Sequence, residues 1–155
     1  MIYLADTNVL LRFLHSSDPN YSEVQTAVEG LQTDRHQLRA TSQNFAEFWN
    51  VSTRPVNRNG YGLNTSQVHE LLQRAEDLFP LLPDSPAIYL EWRRLVVDYS
   101  ISGVQVHDAR LVAAMISHEV THILTFDTED FARYKPEGII AVNPTDVLAN
   151  TTSLE

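Results

Sequence analysis

The sequence predicts an α/β domain, a central parallel sheet of four or five strands flanked by helices. Three observations predict it. Short apolar runs alternate with longer segments whose apolar residues recur at helical spacing. Those short runs are continuously apolar rather than alternating, as strands covered on both faces are. The 155 residues, 43% of them hydrophobic and without an internal repeat, suit a single core. One domain is expected over 1–150, with 151–155 as a C-terminal tail.

Ile2-Tyr3-Leu4-Ala5 reads as a buried strand that stops at Asp6. Thr7 to Leu14 follows as a helix, with Val9, Leu10, Phe13 and Leu14 on one face. Asp18-Pro19-Asn20 turns the chain, and Tyr21 to Gln32 carries Val24, Ala27, Val28 and Leu31 in helical register. His36 to Ala40 is a weak strand candidate. Thr41 or Ser42 caps a helix through Phe45, Phe48 and Trp49 to Ser52, which Arg54-Pro55 ends. Asn57 to Asn64, with two Gly and three Asn, is a loop. A helix from Thr65 to Leu78 precedes an extended piece bracketed by Pro80 and Pro83. Ser85-Pro86 pairs a cap with a first-position proline and opens a helix that dies near Gly103. A helix from His107 or Asp108 to Glu119 leads to a strand at His122–Phe126. A helical turn at Glu129–Tyr134 and a last strand at Ile139–Val142 complete the pattern.

Composition narrows the function. The longest apolar run, Leu111 to Ile116, is far short of the roughly 18 residues of a membrane span. No basic region precedes an apolar stretch at the N-terminus, so a signal peptide is not expected. The absence of cysteine excludes thiolate zinc sites and thiol nucleophiles and makes a reducing cytoplasm the expected compartment. Eleven basic against 20 acidic residues, net −9, argues against a passive nucleic-acid coat. It leaves room for an enzyme that meets a phosphate substrate through cations. Ten of the 11 basic residues are Arg, the better planar fork for phosphate.

Certain carboxylates sit where the pattern expects burial. Asp6 and Asp127 each follow an apolar strand directly, and ligands of open parallel sheets gather at the carboxyl ends of strands. Asp130 comes three residues later. Asp108 heads a helix whose buried stripe is Leu111, Val112, Met115 and Ile116, so it projects from that stripe. Glu47 flanks the Phe45/Phe48/Trp49 face of its own helix, where an unpaired acid is costly. Each position also has a plain reading as a cap or a solvated edge. Converging on one sheet edge, however, such acids could not all stay ionised without cations. An all-oxygen cluster suits Mg²⁺ or Mn²⁺, which can activate water and stabilise displacement at phosphorus.

Four segments then resemble, in order, the motifs of PIN-domain nucleases. They are Leu4-Ala5-Asp6-Thr7-Asn8-Val9-Leu10, Gln43-Asn44-Phe45-Ala46-Glu47-Phe48-Trp49, Val106-His107-Asp108-Ala109-Arg110-Leu111-Val112-Ala113-Ala114 and Leu124-Thr125-Phe126-Asp127-Thr128-Glu129-Asp130-Phe131. Together they span nearly the whole chain. The resemblance implies a Rossmann-like PIN fold and a Mg²⁺- or Mn²⁺-dependent endoribonuclease similar in length to VapC-type toxins. It carries over Asp6, Glu47, Asp108 and Asp127 as the catalytic acids, Asp6 and Asp108 with Asp127 or Asp130 as metal ligands, and Thr125 as a polar position beside them. Glu47 is the expected orienting or deprotonating group for water. Arg12, Arg54 and Arg58 are candidate phosphate contacts, and His15 and His107 are expected to be structural or surface groups.

The resemblance also implies an RNA substrate, a homodimer and a protein antitoxin, with no membrane partner. The Val68/Leu71/Leu72 face is a candidate interface. The loop at 54–64 is expected to shape RNA access or dimer contacts. Two other readings remain open at this point. One is a non-catalytic PIN-like RNA- or protein-binding module. The other is an aspartyl-phosphate protein of the receiver or phosphatase kind, which wants an Asp where Asn8 stands and a placed lysine, of which Lys135 is the sole example.

Overall fold

The computed structural model describes residues 1–152. Five parallel strands form one sheet in the order β3-β2-β1-β4-β5. They are β1 (Ile2–Ala5), β2 (Gln37–Thr41), β3 (Leu81–Leu82), β4 (His122–Leu124) and β5 (Ile140–Val142). In register, Leu4 lies beside Arg39 on β2 and Ile123 on β4. Helices α1 (Thr7–Leu14), α2 (Tyr21–Thr33), α3 (Ser42–Thr53), α4 (Thr65–Leu78), α5 (Pro86–Asp98), α6 (Gln105–Ser117), α7 (Thr128–Phe131) and α8 (Pro144–Thr152) complete the described chain.

Alternation along β1 divides the core. Tyr3 and Ala5 join the cluster built with α1, α2 and parts of α3 and α4. Leu4 joins the opposite cluster with α5, α6 and Ile123. Both faces of the sheet are therefore covered, which explains the continuously apolar strands. The chain runs outward through β1, β2 and β3, then returns to place β4 on the other side of β1. The crevice beyond the carboxyl ends of β1 and β4 is thus the topological switch point, where doubly wound sheets take their ligands.

Several boundaries move for identifiable reasons. The Pro80–Pro83 piece becomes strand β3, held to two residues because proline offers no amide N–H. The strand expected to reach Phe126 ends at Leu124: the Phe126 N–H donates to the Asn8 side chain, 3.4 Å away, instead of to a strand. Helix α6 starts at Gln105, so Asp108 lies in its first turn and not at its head. Helix α8 was not anticipated beyond the last strand. Its start is the Asn143-Pro144 pair, in which Asn143 Oδ1 accepts from the Thr145 N–H at 2.9 Å. The helix crosses the expected boundary at 150, and residues 153–155 of the expected tail lie outside the described residues. Val68 of the candidate interface is fully buried, with Leu71 and Leu72 packed against the same core, so that face is internal. Among the described residues no helix is long and apolar enough to cross a membrane.

The loop after α3 is a built structure. It opens with a 3₁₀ turn at Val56–Arg58, and its amides return to the end of α3: Tyr61 N–H to Val51, Gly62 N–H to Arg54 and Leu63 N–H to Ser52. Tyr61 stacks on His15 with centroids 3.7 Å apart and donates its hydroxyl to Asp18 at 2.7 Å. His15, in turn, meets Ser52 Oγ at 2.9 Å, and burial pushes its pKa down to about 4. A neutral, stacked imidazole is a packing element, as expected for His15. At Gly60 a Cβ would fall 1.8 Å from the Arg54 carbonyl oxygen. Because the obstacle is backbone, Gly60→Ala is expected to cost about 1–3 kcal/mol, read as a lowered midpoint in thermal unfolding. An unchanged midpoint would mean the loop gives way freely.

Candidate active site

Asp6 caps α1, and its cap role and its site role coexist. Its Oδ1 accepts from the Thr7 N–H at 2.8 Å, while its Oδ2 accepts from the Thr125 hydroxyl at 2.7 Å. Since Thr125 follows β4, this second bond ties the two central strands across the switch point. Both oxygens are satisfied, yet the carboxyl is pushed up to about 7. Burial is the main cause; Asp108 and Glu47 add like-charge repulsion, and the two hydrogen bonds oppose the shift.

Glu47 projects from α3 into the same crevice. Its Oε2 accepts from the Thr7 hydroxyl at 2.6 Å and its Oε1 from the Gln43 amide at 3.0 Å. Behind Thr7 stands Asn44, fully buried, which donates to Thr7 Oγ1 at 3.1 Å. Asn44 Oδ1 accepts from both the N–H and the hydroxyl of Thr41. The capping box of α3 is therefore also the mount of the glutamate.

Asp108 enters from the first turn of α6, half-buried. Burial raises its pKa to about 6, with Asp130, Glu47 and Asp127 adding repulsion in that order and Arg133 opposing. Asp127 is exposed and sits at the N-cap position of α7 without capping it. Its Oδ2 accepts from the Asn8 amide at 3.0 Å, and its N–H donates to Thr125 Oγ1 at 3.0 Å. Asp130, on α7, is the acid that acts most strongly on Asp108. Asp127 and Asp130 both act on Asp108, and Asp127 is also linked to Asp6 through Thr125, which accepts from the Asp127 N–H and donates to Asp6.

The three arginines separate. Arg12 places its guanidinium 4.1 Å over the ring of Phe126, next in sequence to Asp127. Arg54 donates to the Asn59 carbonyl oxygen within its own loop, and Arg58 is exposed on the 3₁₀ turn. Neither is linked to the acids by a bond among the described residues. His107 is exposed, and its contribution is its carbonyl oxygen, which accepts from Gln43. The residues that sequence reading missed are Thr7, Asn8, Gln43 and Asn44, neutral groups that orient the acids. The spacing of Gln43 and Glu47, four apart on one helix, is the signal that could have found one of them.

Among the described residues no three Asp, Glu or His side chains are closed around one ion position. The donor set nevertheless fits a hard divalent cation: every ligating atom is a carboxylate or hydroxyl oxygen, and the acids repel one another in a site with Arg133 as its opposing cation. Asp6, Asp108 and Asp127 or Asp130 are the residues that would hold such an ion.

A PIN domain family model matches residues 3–136. Solved structures share the fold. FitAcB from Neisseria gonorrhoeae is 24% identical with a TM-score of 0.63, covering 94% of this chain and 99% of that one. VapBC-1 from nontypeable Haemophilus influenzae is 14% identical with a TM-score of 0.67, covering 94% and 99%. Mycobacterium tuberculosis VapC20, described as a sarcin-ricin loop cleaving toxin, is 14% identical with a TM-score of 0.63, covering 92% and 98%. At these identities the likeness is one of fold. No curated protein matches the chain.

Proposed function

The chain belongs to the PIN-domain family, and from that premise we propose that it is a Mg²⁺- or Mn²⁺-dependent endoribonuclease, a VapC-type toxin held in check by a protein antitoxin. The observation that carries the reading is the convergence of Asp6, Glu47, Asp108, Asp127 and Asp130 on the switch-point crevice. A structural neighbour described as a toxin-antitoxin complex from Klebsiella pneumoniae supports the antitoxin part, and the description of VapC20 as a sarcin-ricin loop cleaving toxin supports the toxin and cleavage parts. A homodimer and a cytoplasmic setting belong to the same proposal.

A cation held by Asp6, Asp108 and Asp127 or Asp130 would supply Lewis acidity toward water and toward the phosphate oxygens. The chain's own residues do the rest. Thr125 and the Thr7 N–H hold both oxygens of Asp6 in place. Glu47, clamped by Thr7 and Gln43, orients the attacking water and accepts its proton at a carboxylate oxygen. Asn8 aligns Asp127 with Thr125. It occupies the place where a phosphatase of the aspartyl-phosphate kind has its second Asp, and its amide is spent on positioning. Arg12, seated over the Phe126 ring, remains the candidate for a phosphate contact.

The test is cleavage of a mixed structured RNA with Mg²⁺ or Mn²⁺, with EDTA, and with Asp6→Asn. The expected result is cleavage lost in both controls. Wild type that neither cleaves nor binds Mn²⁺ by calorimetry would overturn the reading in favour of a binding module.

A further inference from the structure

A net charge of −9 leaves little of the electrostatic attraction on which RNA binding usually rests. Affinity must then come from elsewhere, and one pocket at the same sheet edge has the chemistry for it. It lies beyond β3, between α5 and α6, with a volume of about 330 Å³. That is the small end of ligand-sized pockets, roughly 300–1,000 Å³. Its lining is Ser85, Ile88, Tyr89, Trp92 and Arg110.

Each lining residue has a defined state. Ile88 is buried and forms the apolar base. Trp92 is fixed by its indole N–H, which donates to the Val106 carbonyl at 2.9 Å. Tyr89 is 60% exposed, its ring 6.1 Å from that of Trp92 and tilted 32° to it. Ser85 stands at the N-cap of α5 without using its hydroxyl as a cap. Arg110 is held in plane by Gln43 Oε1 at 3.1 Å and by Asp84 at 3.5 Å.

We propose that this pocket takes an unpaired nucleobase of the RNA substrate, stacked against Tyr89 and Trp92 with its edge toward Arg110 and Ser85. The inference rests on the ribonuclease reading and deepens it. Two aromatic faces and a guanidinium plane are how proteins hold splayed single-stranded bases. A phosphate is the poorer occupant, because the one cation is already shared with Asp84. The pocket also communicates with the acids. Gln43 accepts from Arg110 and donates to Glu47, so two hydrogen bonds separate the pocket wall from the glutamate. A base seated on Arg110 would fix the register of the strand relative to Glu47, which makes Tyr89 and Arg110 determinants of cleavage position.

The experiment uses fluorescence of Trp49→Phe protein, in which Trp92 is the remaining indole. The probe is a pool of 2′-O-methyl octaribonucleotides, intact or fully abasic, titrated with cleavage of the unmodified pool followed in parallel. The intact pool is expected to quench Trp92 and to bind more tightly than the abasic pool. Tyr89→Ala should weaken binding of the intact pool by about 5- to 100-fold, and Tyr89→Phe should restore it. Equal binding of intact and abasic pools, or no effect of Tyr89→Ala, overturns the pocket. So does a Tyr89→Ala change confined to molar mass by light scattering, which would make this face a contact between copies. Quenching by a protein that neither cleaves the unmodified pool nor binds Mn²⁺ by calorimetry supports the pocket and removes the nuclease reading, so the two failures are distinguishable.

Discussion

Asp6→Asn is expected to abolish metal-dependent RNA cleavage while making the metal-free protein more stable above neutral pH. The stability half follows from linkage. The Asp6 carboxyl has an ordinary value of 3.8 and is raised to about 7 in the fold, chiefly by burial. Between those values the native state keeps a proton that the unfolded state has released. Stability is therefore whole below the ordinary value and falls as pH rises toward 7. The full penalty, no more than about 4 kcal/mol, is present above pH 7. Asparagine carries no such penalty and can still accept from Thr125 or Thr7 through its one carbonyl oxygen. The difference in unfolding free energy between variant and wild type should thus be near zero at pH 4 and largest at pH 8. Added Mn²⁺ should raise the midpoint of wild type by mass action and leave the variant unmoved. A variant less stable than wild type at pH 8 would show that burial of the ionised acid carries no such penalty.

The second large effect is expected at a residue outside the acidic set. Asn44→Ala removes the amide that supports Thr7 and the oxygen that satisfies the Thr41 N–H and hydroxyl, all fully buried. The loss of a cap and of buried hydrogen bonds costs about 2–4 kcal/mol. For a domain of this size that lowers the thermal midpoint by roughly 4–16 °C. The remaining folded enzyme should lose kcat more than KM changes, because Glu47 loses the geometry of its Thr7 contact. A stability loss with kcat intact would reduce Asn44 to a cap.

Much of this was legible in the sequence because periodicity is a local signal. The apolar stripe of α6 places Asp108, and the apolar ends of β1 and β4 place Asp6 and Asp127. What stayed hidden is held by partners far apart in the chain: Thr7 and Glu47 are 40 positions apart, and Thr125 and Asp6 are 119 apart. No spacing rule finds such pairs. Arg54 illustrates the opposite failure, since its guanidinium satisfies a carbonyl in its own loop. Helix α8 was missed although Asn143-Pro144 announces a helix start.

The central place of β1 has a consequence for synthesis. Its two neighbours reach it at very different times: β2 begins at Gln37, and β4 only at His122. At typical elongation rates of about 5–20 residues per second, the interval between β1 and β4 is on the order of ten seconds. During it one edge of β1 stays unpaired, and Asp6 lacks Thr125. The growing chain therefore carries no assembled cluster until β4 and the segment after it have emerged. The nuclease activity proposed above would accordingly have to wait for β4 to be made.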